Sequence, residues 1–189
     1  SEKESATNKA IALISGLVAR ACYLEPLETQ SLPLNRDVLV IGGGIAGILT
    51  SIELADKGYK VHLVERNPSI GGHMAQLSKT FPTLDCSQCI LTPKMVYVFQ
   101  HPNIKVITMA EPVGIDGSPG NYRVKIRVRP RFVNQEKCIS CNECSRVCPV
   151  KKPSKFEDGL KVEKAIYQAF KKAVTNAYVI DKGVCLYFN

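Results

Sequence analysis

Four cysteines within eleven residues, Cys138, Cys141, Cys144 and Cys148, with Pro149 directly behind the last, constrain this chain more than any other feature. Two residues separate each of the first three, and three residues separate the third from the fourth, the run that ligates [4Fe–4S] clusters. A cubane has four corner irons, each wanting one thiolate. Short Cys-x-x-Cys steps wrap one loop around three corners, while the fourth cysteine of such a run points at a neighbouring cluster. Zinc sites usually come instead as two separated Cys-x-x-Cys knuckles. The run therefore implies a protein that handles electrons.

A second constraint lies upstream. Residues 37–65 read as one β-α-β unit: Val38-Leu-Val-Ile41 as a buried strand, Gly42-Gly-Gly44-Ile45-Ala46-Gly47 as a tight turn opening a helix, and Val61-His-Leu-Val64 as the second strand. Leu49, Ile52, Leu54 and Ala55 carry the apolar side of the helix, and Lys57-Gly58 stops it. In this dinucleotide-binding pattern Gly42 allows the turn, Gly44 lets backbone approach a pyrophosphate, and Gly47 lets helix and strand close together. Free N–H groups and the positive end of the helix dipole then face the phosphates. Glu65 falls 23 residues after Gly42, where an acidic side chain accepts from a ribose 2′-hydroxyl and argues against a 2′-phosphate. Further on, 103–109 predicts another strand and 112–128 a hairpin turning between Asp116-Gly117 and Asn121.

Bulk composition is that of a globular protein: 189 residues, 45% hydrophobic and 22% charged. Eight cysteines clustered this tightly fit metal ligation in a reducing compartment, hence the cytoplasm, better than disulfides. Much of the net charge of +8 sits in Arg123, Lys125, Arg127, Arg129 and Arg131, which alternate with apolar residues and read as the solvated face of a strand. No aromatic interleaving supports nucleic-acid binding. The apolar run from Ala10 to Ala19 is far short of the ~20 residues a membrane span needs. It also fails as a signal peptide, since Glu2 and Glu4 spoil a basic leader and Ile11, Ile14, Leu17, Val18, Ala21 and Leu24 follow helical spacing. Pro26 and Pro33 end that helix. Ser1 in place of a starting methionine suggests an earlier start.

Three readings compete for Cys86-Ser-Gln-Cys89: a redox dithiol, two ligands of a further cluster, or buried structural thiols. Asp85 alongside works against a stable thiolate. His62 lies in a strand and reads as structural, His73 follows a glycine pair and stands near the cofactor, and His101 carries no inference. Cys22 reads as a packed thiol on the first helix.

Glu65-Arg66-Asn-Pro-Ser-Ile-Gly71-Gly72 resembles FAD-binding, disulfide-reductase-like flavoproteins, whose paired glycines let the loop lie close to the cofactor. FAD is therefore expected in preference to NAD, and the resemblance implies that strand 103–109 and the hairpin after it form a β-meander over the Rossmann core, as in those flavoproteins. The segments Gly71-Gly72-His73-Met-Ala-Gln-Leu-Ser-Lys-Thr-Phe-Pro-Thr83 and Asp85-Cys-Ser-Gln-Cys-Ile-Leu-Thr-Pro-Lys-Met95, with the cysteine run, are similar to the A subunit of heterodisulfide reductase of methanogens and other anaerobes. The resemblance covers nearly the whole chain. It implies an α/β fold, a FAD-binding Rossmann-like region with an inserted α+β ferredoxin-like [4Fe–4S] module. The expected divisions are 1–35 for a helix and linker, 36–132 for the FAD-binding region, and 133–189 for the iron–sulfur module. It further implies FAD held by Gly42, Gly44, Ile45, Ala46, Gly47, Glu65, Arg66, Gly71, Gly72 and His73. Iron–sulfur clusters would be held by Cys138, Cys141, Cys144, Cys148 and Cys185, with Cys86 and Cys89 as further candidates. The implied function is an electron-transferring, electron-bifurcating subunit that works with other heterodisulfide-reductase-like subunits and a hydrogenase or formate-dehydrogenase-type donor.

Two departures matter. Asn142 stands where such cluster loops often carry Gly, and Asn tolerates the left-handed backbone better than most residues. Cys185 looks like the first cysteine of a second motif, yet the chain stops at Asn189, which suggests a fragment or a split subunit joined by the remainder of its own subunit. On the residues alone two rivals stay open. One is an autonomous NAD(P)H-dependent disulfide reductase using Cys86 and Cys89, against which stands the single dinucleotide fingerprint. The other is a non-catalytic assembly scaffold.

Overall fold

A computed structural model describes residues 2–27, 29 and 31–189. Ser1, read above as a sign of an earlier start, lies outside the described residues. Two compact units result, residues 1–33 and 34–189. In the first, α1 (Glu2–Cys22) forms as the apolar spacing predicts, with acidic residues in its first turn and Arg20 in its last, both favourable to the helix dipole. Cys22 is exposed at its end rather than packed, a correction to the sequence reading. No described helix is long and apolar enough to cross a membrane.

The second unit is built on a parallel sheet of order β1-β2-β3, with β1 (Asp37–Ile41), β2 (Lys60–Glu65) and β3 (Ile104–Thr108). Register runs Val38 to Val61 and Val61 to Ile104. β2 is central, and its run Val61, Leu63, Val64 and Glu65 is buried, as both faces of a parallel strand demand. Residues 103–109 therefore add a third parallel strand instead of the first arm of a meander. A parallel neighbour needs a crossover, and α3 (Ser87–Gln100), to which the sequence reading assigns no element, supplies it. Leu91, Met95 and Val98 fall on one face of α3 and pack with Ile48 and Ala55 of α2 (Ile45–Asp56), Leu63, Ile70 and Ile104 in one core.

The hairpin forms as expected, from β4 (Ala110–Ser118) and β5 (Asn121–Val128), with a register shift at Pro112/Gly114. Arg123, Lys125 and Arg127 face solvent while Val124 and Ile126 are half-buried. Arg131 breaks the predicted pattern. Proline cannot continue the ladder, so the strand has ended before Pro130, and Arg131 turns inward to 6% exposure.

Residues 133–189 hold α4 (Glu143–Val147) and two small antiparallel pairs, β6 (Lys151–Pro153) with β7 (Val162–Lys164) and β8 (Ile166–Tyr167) with β9 (Val179–Ile180). This module packs on the sheet region: Phe156, Phe170 and Val174 lie against the core above. Val174 N–H donates to Ser69 Oγ at 2.9 Å, and Ile70 N–H donates to Val174 O at 3.1 Å.

Inside the module Lys152 is buried beneath two carboxylates. Its Nζ donates to Asp181 Oδ2 at 2.7 Å, stands 3.1 Å from Glu163 Oε1 as an ion pair without hydrogen-bond alignment, and lies 4.2 Å from the Tyr167 ring centroid. Burial alone would lower the Lys152 ammonium, but Asp181 and Glu163 outweigh it and hold it above its ordinary value. The Lys152 hydrogen bond in turn holds Asp181 below the usual carboxylate range, against the effect of burial. The stability Lys152 contributes is thus complete below its unfolded value near ~10.4 and lost as pH rises through the raised one. The contribution of Asp181 is present above ~3.9 and lost as pH falls through the depressed value. Lys152→Met leaves two half-buried carboxylates without their cation. Urea unfolding at pH 7 should show a loss of about 3 kcal/mol, and the alkaline fall in stability above about pH 10 should shrink.

Candidate functional site

The site begins where β1 turns into α2. Gly42 takes φ +102°, a conformation L side chains rarely adopt, and its N–H donates to Val64 O at 2.8 Å. Gly47 sits so tightly on the turn that a Cβ there would lie 1.9 Å from the Gly42 carbonyl oxygen. Gly44, which begins α2 without a side-chain cap, is the opposite case: a Cβ there would meet nothing within 4 Å. The uncapped helix end therefore opens on free space at the one glycine assigned to the approach of a pyrophosphate, and the residues fit such a group. The Gly71-Gly72 pair closes over the same turn. Gly71 N–H donates to Gly43 O at 2.7 Å, and a Cβ on Gly72 (φ +54°) would stand 2.9 Å from Gly44 Cα. Two glycine turns thus lie one on the other, an approach that a side chain at Gly72 would block.

Glu65 is buried and already engaged. Its Oε2 accepts from Gly43 N–H and its Oε1 from Asn67 N–H, both at 2.7 Å. A carboxylate offers about four lone-pair directions, so two remain for a sugar hydroxyl. The side chain expected to read a ribose also holds the glycine turn together. Arg66 is exposed, and its carbonyl accepts from Arg129 Nη2. Ile45 is half-buried and Ala46 exposed in the first turn of α2. His73 is exposed with Nδ1 2.9 Å from Gln76 Oε1, and Gln76 Nε2 donates to Phe156 O at 2.7 Å.

Six of the ten expected cofactor residues line a cleft of ≈ 670 Å³, whereas Ile45, Ala46, Gly47 and Gly71 stand behind its lining. One wall is Gly42, Gly44, Glu65, Arg66, Gly72 and His73, and a second is Ala110 to Pro112 at the start of β4. The third comes from the cysteine-bearing module: Lys155, Phe156, Tyr167 and Phe170, with the two Phe rings stacked at 4.9 Å. Sequence reasoning missed this third wall. No short-range pattern links residues 155–170 to a turn a hundred positions earlier; tertiary contacts bring them there, Phe156 and Phe170 against the core, Gln76 on the Phe156 carbonyl and Val174 on Ser69.

The cysteine run wraps α4. Asn142 adopts the left-handed backbone expected of it (φ 69°, ψ −2°) as the residue before α4, and Tyr178 OH donates to its Oδ1 at 2.7 Å. Ser140 Oγ donates to Asn176 O at 2.6 Å. The segment 176–178 thus pins the loop from behind. Burial pushes the Cys138 thiol up, but backbone N–H groups of Tyr178 and Ser140 and the Arg131 charge outweigh it and hold the thiol below its ordinary value. Cys148 is held low as well: backbone N–H groups of Ile166, Val150 and Ala165, with the Lys164 charge, overcome burial. Cys144 is pushed up by burial and by the charges of Cys138 and Cys141. These sulfurs stand close enough to repel one another as thiolates, a repulsion that bound iron relieves. Among the described residues no three His, Cys, Asp or Glu side chains could share one metal ion. A cubane spreads its thiolates over separate irons and does not require it. Cys185, half-buried, sits one turn after Asp181, to whose carbonyl its N–H donates.

The start of α3 brings Cys86 and Cys89 together. Cys86 caps α3, its sulfur accepting from Cys89 N–H at 3.3 Å, and this first turn brings the two Cα atoms to 5.3 Å. That is within disulfide reach, and the sulfurs are bonded to each other.

Residues 40–94 match the family described as an NAD(P)-binding Rossmann-like domain, and residues 131–151 match the 4Fe-4S binding domain. The A subunit of the H(2):CoB-CoM heterodisulfide,ferredoxin reductase of Methanothermobacter thermautotrophicus is 49% identical over 98% of the chain. The protein of Archaeoglobus profundus that is named as like the heterodisulfide reductase A subunit is 51% identical over 98%. Over the segment it spans, the chain belongs to the A-subunit family of heterodisulfide reductase. It spans about 28% and 27% of the length of these two relatives. The A subunit of the ferredoxin:CoB-CoM heterodisulfide reductase of Methanosarcina mazei is 42% identical, with 98% of this chain and 24% of that protein aligned. Among solved structures, L-proline dehydrogenase from P. horikoshii aligns with 56% of the chain and 22% of its own, at 23% identity and a TM-score of 0.44, too loose a likeness to argue from.

The two glycines separate binding from folding. Gly44→Val, with φ −75° and open space, should leave urea stability within about 1 kcal/mol but weaken dinucleotide binding at least about tenfold in parallel titrations with FAD and NAD. Gly47→Ala, against the Gly42 carbonyl, should cost about 2 kcal/mol of stability.

Proposed function

We propose that this chain is the part of a heterodisulfide-reductase-like subunit that binds FAD and delivers its electrons to a [4Fe–4S] cluster. One observation carries the reading: the cleft over the glycine turns is walled on its far side by the cysteine-bearing module. A cofactor in that cleft would touch the module that carries the cysteines. FAD exchanges electron pairs for single ones, which the cluster then conducts.

The residues of the chain bind and position. Gly44, at the N-terminus of α2, faces the cleft and would receive the pyrophosphate, with Ile45, Ala46 and Gly47 forming the first turn of the helix behind it. Glu65 receives the ribose hydroxyls, and Arg66, Gly71, Gly72 and His73 border the remainder of the cofactor. The stacked Phe156 and Phe170 offer an apolar face that keeps water from the cleft. Cys138, Cys141 and Cys144 hold three corners of one cluster, and Cys148 and Cys185 reach toward a second. FAD is favoured over NAD by the second glycine turn, which lies directly on the first.

The Methanothermobacter relative carries H2, the CoB-CoM heterodisulfide and ferredoxin in its name, and a flavin that feeds both a heterodisulfide and a ferredoxin would be an electron-bifurcating one. Accordingly the partners are further subunits of such a complex, a hydrogenase or formate-dehydrogenase-type donor, and the remainder of the subunit. The sulfur–sulfur bond of Cys86 and Cys89 favours a second reading of that pair as a redox dithiol.

Anaerobic preparation of the chain with counted iron, sulfide and flavin tests the whole. The expected outcome is one FAD with at least four iron and four sulfide per chain, about four iron fewer in Cys144→Ser, and iron unchanged in a Cys86→Ser, Cys89→Ser double variant. Neither flavin nor stoichiometric iron would leave the scaffold reading, and loss of iron from the double variant would return that pair to ligation.

A further inference from the structure

Arg131 is a cation buried to 6% exposure without a carboxylate beside it. Among the described residues it forms no ion pair; the ionisable groups that act on its charge are Tyr167 and Cys138. Its hydrogen bonds go to uncharged groups. Nη1 donates to Ala177 O at 3.0 Å, Nη2 to Pro68 O at 2.6 Å, Thr108 Oγ1 at 3.0 Å and Thr175 Oγ1 at 3.2 Å, while Nε has no partner. A guanidinium cannot shed its proton to escape burial, and a buried charge without compensation costs several kcal/mol. Something anionic is needed near it.

The direction of that anion follows from one segment. The carbonyl that accepts from Nη1 belongs to Ala177, whose neighbours hold the cysteine loop: Asn176 O accepts from Ser140 Oγ, and Tyr178 OH donates to Asn142 Oδ1. The guanidinium is thus hydrogen-bonded to the segment that pins residues 138–144, and the thiolates of that loop are the nearest anions the sequence offers it. On its other side the guanidinium grips Pro68 and Thr108, which follow Glu65 and end β3.

We infer that Arg131 is the counter-ion of the cluster held by Cys138, a positioning residue that fastens the cluster loop to the cofactor loop and eases one-electron reduction of the cluster. Reduction adds one electron, makes the thiolate-ligated cluster one unit more negative, and neither forms nor breaks a bond to Arg131. A fixed positive charge stabilises that more negative state, so its removal lowers the midpoint potential. The inference rests on the ligation of iron by Cys138 proposed above.

The test is a redox titration of the full chain, reconstituted anaerobically with iron and sulfide. Dithionite is the reductant, and the signal read is the paramagnetic resonance of the reduced cluster. Arg131→Gln and Arg131→Met should each lower the reduced-to-oxidised ratio at a fixed potential about tenfold, equivalent to 59 mV for a one-electron couple. Arg131→Lys, and a Thr108→Val, Thr175→Val double variant that keeps the guanidinium, should stay within about twofold of the parent. Equal midpoints in parent and neutral variants overturn the inference while leaving the cluster assignment intact. A tenfold shift in the lysine or the double-threonine variant also overturns it, and does so even if the neutral variants do not fold. If the parent chain itself binds no reducible cluster, the failure lies in the proposed ligation and the counter-ion role falls with it.

Discussion

The close approach of two backbone turns governs this structure. At the end of β1 the chain reverses through Gly42, α2 closes onto it at Gly47, and the loop after β2 comes down at Gly72 on Gly44. Contacts of this kind exclude even a methyl group, so they set distances more sharply than packing of larger side chains could. Glu65 then fastens the stack from below through two short bonds to backbone N–H groups. Because loop 66–70 is held there, Pro68 and Ser69 present a carbonyl and a hydroxyl to residues 131 and 174. The cysteine module docks on what the glycines place.

Charge plays a complementary part in the module. Its sheets are pairs of two or three residues and could not stand alone. Lys152 with Asp181 and Glu163, and Arg131 with its ring of carbonyls and hydroxyls, tie segments that share little apolar surface. Such buried ions add little net stability over an apolar core, but they specify which segments meet. In a module whose work is to hold four thiols in a set arrangement, that specification matters more than stability.

Much of this was legible in the residues. The β-α-β unit was readable because its strand, turn and helix each leave a local trace, and Asn142 because only a short polar side chain suits a left-handed residue at the head of α4. The hairpin was readable from its alternation. What escaped were features with no local period. α3 carries Pro93 and an apolar face reduced to Leu91, Met95 and Val98, and without it residues 103–109 could not be recognised as parallel to β2. Arg131 shares the parity of the solvated arginines before it, and only the break at Pro130 hints that the strand rule has lapsed. The double duty of Glu65 was hidden for a different reason: a carboxylate in the right place to read a sugar looks the same whether or not backbone amides already hold it.

The stacked rings of Phe156 and Phe170 belong to one region and enclose space belonging to another. Thermodynamic reciprocity then applies: any affinity that the seated module lends to an occupant of that space, the occupant returns as tighter seating of the module. Loading with nucleotide and maturation of the metal centre become coupled equilibria, so a cell short of one would accumulate protein in which the other is loosely held too.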